Sequence, residues 1–168
     1  LVAQKIKKAN CLFSLANLDK SEQTHHEEET EMIEIKYLIT KKKDPLSKKK
    51  LMFIVSSLGL PTKSEIKDES RYIASLQTSL MNHLQSNKQD REKFLYYYEK
   101  IAEAEVIYYI NQFIERQYII EFGGMYKIED RPIGMSFNDI KEWFSTREEE
   151  YEAYKLKVDE YNSNFVTR

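Results

Sequence analysis

Apolar residues recur along this chain at two different helical widths. From Lys88 to Phe122 no Gly or Pro interrupts the pattern, and Leu95, Tyr98, Ala102, Val106, Tyr109 and Phe113 advance by threes and fours. Phe94, Ile101, Ile110 and Ile114 widen that stripe. A wide face buries against more than one neighbour, so a long central helix is predicted at about 88–117. The C-terminal pattern is narrower. Phe137, Ile140, Phe144, Arg147, Tyr151, Tyr154, Val158, Tyr161 and Phe165 alternate steps of three and four, with charged residues almost everywhere else. That is the 3.5-residue period of a coiled-coil seam, broken once, at Arg147. It predicts a helix over about 137–162, with Ser136 and Asp139 placed to cap its start. Phe and Tyr suit a groove better than a leucine-zipper mate. The protein's own long helix is the first candidate to cover the seam. Contact with another chain or a second copy, through Tyr151, Tyr154, Val158, Tyr161 and Phe165, is the alternative.

The remaining segments read more simply. Residues 5–18 place Ile6, Ala9, Leu12, Phe13 and Ala16 on one helical face, and 19–26 are a polar loop. Over 27–43, Ile33, Ile35, Tyr37 and Ile39 alternate as in a strand. The run of Glu before them and of Lys after them complements a helix macrodipole instead, and helix ranks ahead. A short helix over 46–59 starts from Ser47 and stops at Gly59 and Pro61. Residues 62–86 follow, with Thr62 and Glu65 as a capping box and Ile66, Ile73, Leu76, Leu80 and Leu84 as the buried stripe. Gly123-Gly124 lies between two β-prone runs and predicts a small hairpin at 118–128, with 129–135 as a linker. The fold class is therefore mainly α: a bundle of five or six helices with one small hairpin. Two parts are expected, a helical core over 1–135 that includes a basic loop at 41–50, and the C-terminal helix over 136–168.

Composition narrows the classes of function. The chain has 168 residues, 41% hydrophobic and 32% charged, which is a folded protein with a highly charged surface. Its net charge of −2 offers no overall field for nucleic acid or anionic membrane. The longest apolar run, Leu51 to Leu60, is far short of the ~20 residues a membrane span needs. The N-terminal lysines are not followed by an apolar run with a small-residue cleavage site, so no signal peptide is expected. The single Cys11 sits among apolar residues and reads as a buried, inert thiol. These features predict a cytoplasmic protein, or a virion-associated one if phage-encoded. Twenty Lys against six Arg, with many Ile, Tyr, Asn and Glu, is the composition of an AT-rich genome such as that of a low-GC bacterium, its phages or an AT-rich parasite.

Candidate chemistry is sparse. Lys41, Lys42, Lys43, Lys48, Lys49 and Lys50 cluster around Asp44-Pro45 and could contact phosphates or an acidic partner; a solvated loop is the plainer account. His25-His26 before Glu27 matches no closed metal pattern. No nucleophile is identifiable for His83, and the glycine-rich phosphate loops and the GxSxG elbow are missing. No cofactor or metal is expected. Glu105 lies beside the apolar stripe and, if buried, would need a Lys or Arg partner. Tyr96, Tyr97, Tyr98, Tyr108, Tyr109 and Tyr118 concentrate phenols on one helix, where an interface or a base-stacking surface is conceivable beside plain core packing. The stretch MYKIEDRPIGMSFNDIKEWF resembles small phage structural or assembly proteins; with no diagnostic motif, it transfers no residue roles. The expected function is a non-enzymatic protein–protein interaction or assembly component. A nucleic-acid-associated regulator using Lys41 to Lys50 is the alternative, and the partner is expected to be a protein chain and not a membrane.

Overall fold

The isoleucines at 33–39 show how the backbone resolves an ambiguous pattern. In the computed structural model, which describes residues 26–40, 46–63 and 66–166 (side chains to 163), 26–40 are helical (α1). On a strand the four alternating residues would share one face. On the helix they divide: Ile35 and Ile39 are fully buried, while Ile33 and Tyr37 are mostly exposed. The chain separates into two compact units, Leu1–Pro45 and Leu46–Arg168. Helix α1 belongs to the first; all that follows belongs to the second. No described helix is long and apolar enough to cross a membrane.

The second unit opens with α2 (Lys48–Ser57), whose start is capped by the Ser47 hydroxyl accepting from the Lys50 amide at 3.3 Å. Gly59, at φ 73°, ends it, with the Leu60 amide donating back to Val55 at 3.0 Å. Helix α3 (Glu69–Ser86) starts on an Asp68 cap, six residues after Thr62. Its buried stripe is Tyr72, Leu76, Leu80 and Leu84, so Ile66 and Ile73 fall outside it. The Thr62 carbonyl accepts from the Tyr72 hydroxyl, and Glu65, the other half of the expected capping box, lies outside the described residues.

The uninterrupted 88–117 helix is two helices, α4 (Lys88–Glu99) and α5 (Ile101–Glu115), with Lys100 at φ −102° and ψ 53° between them. No Gly or Pro marks this break, and propensity cannot see it. It lets α4 pack on α2 and α3 while α5 packs on α2, α6 and α7. The α3–α4 joint is pinned by Asp90, which contacts His83 Nε2 and Lys93 Nζ, each at 2.7 Å. Buried Arg91 caps the end of α3 by donating to the Leu84 carbonyl at 2.8 Å. The Lys93 and His83 hydrogen bonds hold the Asp90 carboxyl below its ordinary range. The joint therefore gains stability above about pH 4 and loses it as pH falls through that depressed value. Asp90→Asn is expected to shrink the fall in melting temperature between about pH 5 and pH 3. An unchanged acid limb would remove Asp90 from that role.

The Gly-Gly turn closes the predicted hairpin. Strands β1 (Ile119–Phe122) and β2 (Met125–Ile128) pair antiparallel, with Gly123 and Gly124 at φ 62° and 76°. The segment read as a linker contains a third strand, β3 (Arg131–Gly134), which pairs with β2. Ile119, Ile128 and Ile133 turn inward to one cluster with Phe113, Ile140 and Phe144, which is the surface an isolated hairpin lacks. At the exit of β3, Gly134 has φ 152°, and a Cβ there would lie inside the van der Waals envelope of Asp139 Cβ. Asp139 and Ser136 form the capping box of α6 (Phe137–Ser145), as their spacing predicted. Gly134→Ala is accordingly expected to destabilise by about 1–3 kcal/mol in urea unfolding. A change under about 0.5 kcal/mol would show that the junction has room to move.

The C-terminal helix of 137–162 is also divided, at the one seam position that is not apolar. Helix α6 ends at Ser145, and α7 (Glu148–Val166) begins after Arg147. Arg147 donates to the Trp143 carbonyl at 3.2 Å and lies over the Trp143 ring at 4.5 Å, closing α6. Glu148, Glu149 and Glu150 then meet the positive end of α7. A straight helix would separate Phe144 and Tyr154 by about 15 Å along its axis. Here their rings lie 6.4 Å apart, both against Phe113. Residues 136–163 thus pack on α5 within the second unit.

Candidate binding groove

Two patches far apart in sequence meet where α2, α5 and α7 converge. Lys49 of α2 reaches Asp159 of α7, Nζ to Oδ2 at 3.0 Å, and the Tyr109 hydroxyl of α5 donates to Oδ1 of the same carboxylate at 2.9 Å. Above this junction is an open groove of about 1640 Å³. One wall is the first turn of α2 with Lys48 and Lys49; the segment through Thr62, Lys63 and Tyr72 forms another. The end of α5 and the last turns of α7, with Arg116 and Tyr161, close it, and Met52, Phe53 and Tyr108 contribute apolar surface.

Most charges on these walls are tied in pairs. Lys48 lies 4.0 Å from Glu69 and over the Tyr72 ring, and Lys63 pairs with Glu115. Arg116 differs. It donates through Nη2 to Asn162 Oδ1 at 2.7 Å and to Gln112 Oε1 at 3.2 Å, and its guanidinium stacks on Tyr161 at 3.8 Å. Its Nε is shielded from solvent and has no hydrogen-bond partner among the described residues. The phenols resist ionisation. Burial, then Tyr72 and Asp159, push Tyr108 up to about 12. Burial followed by the Asp159 hydrogen bond pushes Tyr109 higher still, and burial raises Tyr72.

The residues singled out in the sequence separate into three groups. Val158 is fully buried, and Tyr151 and Tyr154 are half-buried against Phe113 and Phe144. Burial raises the Tyr151 hydroxyl above its ordinary range, and that hydroxyl has no partner among the described residues. Tyr161, 45% exposed, stands in the groove wall with Lys48 and Lys49, while Lys50 is exposed and outside the groove. Lys41, Lys42, Lys43 and the side chain of Phe165 lie outside the described residues. Glu105, flagged for a cationic partner, has one in Lys155 at 2.7 Å. Its place is on the α5–α7 contact, away from the groove. Sequence reading missed Arg116, Asn162, Lys63 and Tyr72. Arg116 carried one local signal, a cation at a helix C-terminus; nothing local announced that Asn162, 46 residues on, would meet it.

Comparison with protein-family models, with curated proteins and with solved structures finds no match to this chain.

Proposed function

We propose that this chain is a non-enzymatic interaction or assembly component that docks a segment of another protein in the groove between α2, α5 and α7. The observation that carries this reading is the convergence of Tyr161 with Lys48 and Lys49 on one open surface. An exposed aromatic ring, apolar floor and polar rim are the anatomy of a protein interface. The groove is broader than the roughly 300–1,000 Å³ clefts that enclose small ligands. Its phenols titrate high, which suits them poorly to proton transfer near neutral pH. Glu69, Glu115 and Asp159 on the same walls weigh against a nucleic-acid backbone as occupant. The AT-rich composition is in keeping with a phage or mobile-element assembly role.

A library of displayed random dodecapeptides, panned on the purified chain, tests the proposal. Binders are expected to cross-link to a benzophenone side chain placed at Thr62 or Ser163, in the groove, and not to one at exposed Glu142 on α6. Binders that cross-link only at Glu142, or a library without binders, would sink it.

A further inference from the structure

Resting on that reading of the groove, we infer that its occupant is an acidic protein segment, with one carboxylate seated on Arg116 beside Tyr161 and Asn162. Three observations support this. Arg116 is a groove cation with neutral contacts, two side-chain amides and a ring, and no carboxylate at ion-pair distance among the described residues. Lys48, Lys49 and Lys63 already face Glu69, Asp159 and Glu115. Among the described residues the groove carries five cationic side chains against three anionic ones. A guanidinium held over an aromatic ring and fixed by two amides through Nη2 is preorganised, and its Nη1, without a hydrogen bond among the described residues, is the donor left for a charge-assisted bond to a carboxylate.

The choice of a carboxylate over a nucleic-acid strand follows from what surrounds Arg116. A strand brings one phosphate per nucleotide and would set several of them against Glu115, Glu69 and Asp159. A peptide places a single charge on Arg116 and apolar side chains over Met52 and Tyr72.

The test uses the full chain and the groove-binding peptides from the display selection. They are expected to share an Asp or Glu at a fixed distance from an aromatic or aliphatic residue. Changing that acid to its amide should weaken binding about tenfold or more, measured by fluorescence anisotropy on the unaltered chain. Arg116→Gln should cost a similar factor, and combining the two changes should add little, since one pair accounts for both losses. Arg116→Lys should recover only part, because an ammonium cannot bond both amides, lie over the Tyr161 ring and still present a separate donor to the acid. The peptide-side substitution decides the matter even if Arg116→Gln unfolds. Groove binders without an acid, or an acid whose removal costs the same in Arg116→Gln as in the parent chain, would overturn the inference and leave the docking reading standing. Tighter, Arg116-dependent binding of a single-stranded oligothymidine would overturn it in favour of nucleic acid. A selection that yields no groove binder removes both.

Discussion

Replacing Phe113 with Ala is expected to lower the unfolding free energy by about 3–5 kcal/mol. Phe113 is fully buried on α5, and its ring faces four others: Phe144 at 5.5 Å, Tyr154 at 5.7 Å, Tyr151 at 5.9 Å and Tyr109 at 6.4 Å. They come from α5, α6 and α7, so the ring is the common contact of three helices. Truncation removes its transfer free energy and leaves a void that three separately anchored elements cannot close together. The aromatic pairs add about 0.5–1.5 kcal/mol each beyond area burial. A domain of this size is stable by only about 5–15 kcal/mol, so the variant should sit near the edge of folding at 37 °C. Urea unfolding followed by circular dichroism checks this. Phe122→Ala is the matched control: that ring is 72% exposed at the tip of β1, with Lys127 5.2 Å away. It should cost no more than about 1 kcal/mol, the upper range of an exposed cation–π contact. Equal losses at the two positions would contradict the placement of Phe113 at the centre of the core.

Val158→Asp is expected to detach α7 or unfold the unit. Val158 is fully buried in the cluster that holds Tyr109 and Phe113. A carboxylate introduced into that apolar cluster is a buried charge, and one left unpaired costs roughly 3–5 kcal/mol. Release of the last helix relieves that cost for less than global unfolding, so local opening should come first. Trypsin should then cut at Lys155 and Lys157 well before it cuts elsewhere, with a matching loss of helical signal. Leu156→Asp, two residues earlier at a position 61% exposed, should change stability by less than about 0.5 kcal/mol. The comparison also separates two accounts of the C-terminal seam. If Val158→Asp left stability and proteolysis unchanged, its burial within this chain would be refuted. Any docking phenotype it produced could then be assigned to a partner.

The sequence by itself determined the local elements. Ser47, Gly59, the Ser136–Asp139 box and the Gly-Gly turn each act over a few residues, through an orphan amide, a left-handed backbone or a tight reversal. The mainly α class and the hairpin follow from such signals. Arg147 was legible too, as the only polar position in the seam, although what it marks is a helix end and not a flaw in a coiled coil. Only the tertiary structure decided the rest. Lys100 breaks a helix that propensity would continue, and the break lets α4 and α5 share α2 while one also packs on α3 and the other on α6 and α7. The strand β3 exists because β2 offers it an edge. The groove exists because Tyr161 and Lys49, more than a hundred residues apart, are brought to one place by the burial of Val158 and Phe53 in a shared core. Periodicity reports which face of an element is apolar. Which element covers that face, and which polar groups are left beside one another at its rim, is set by the packing of all of them together.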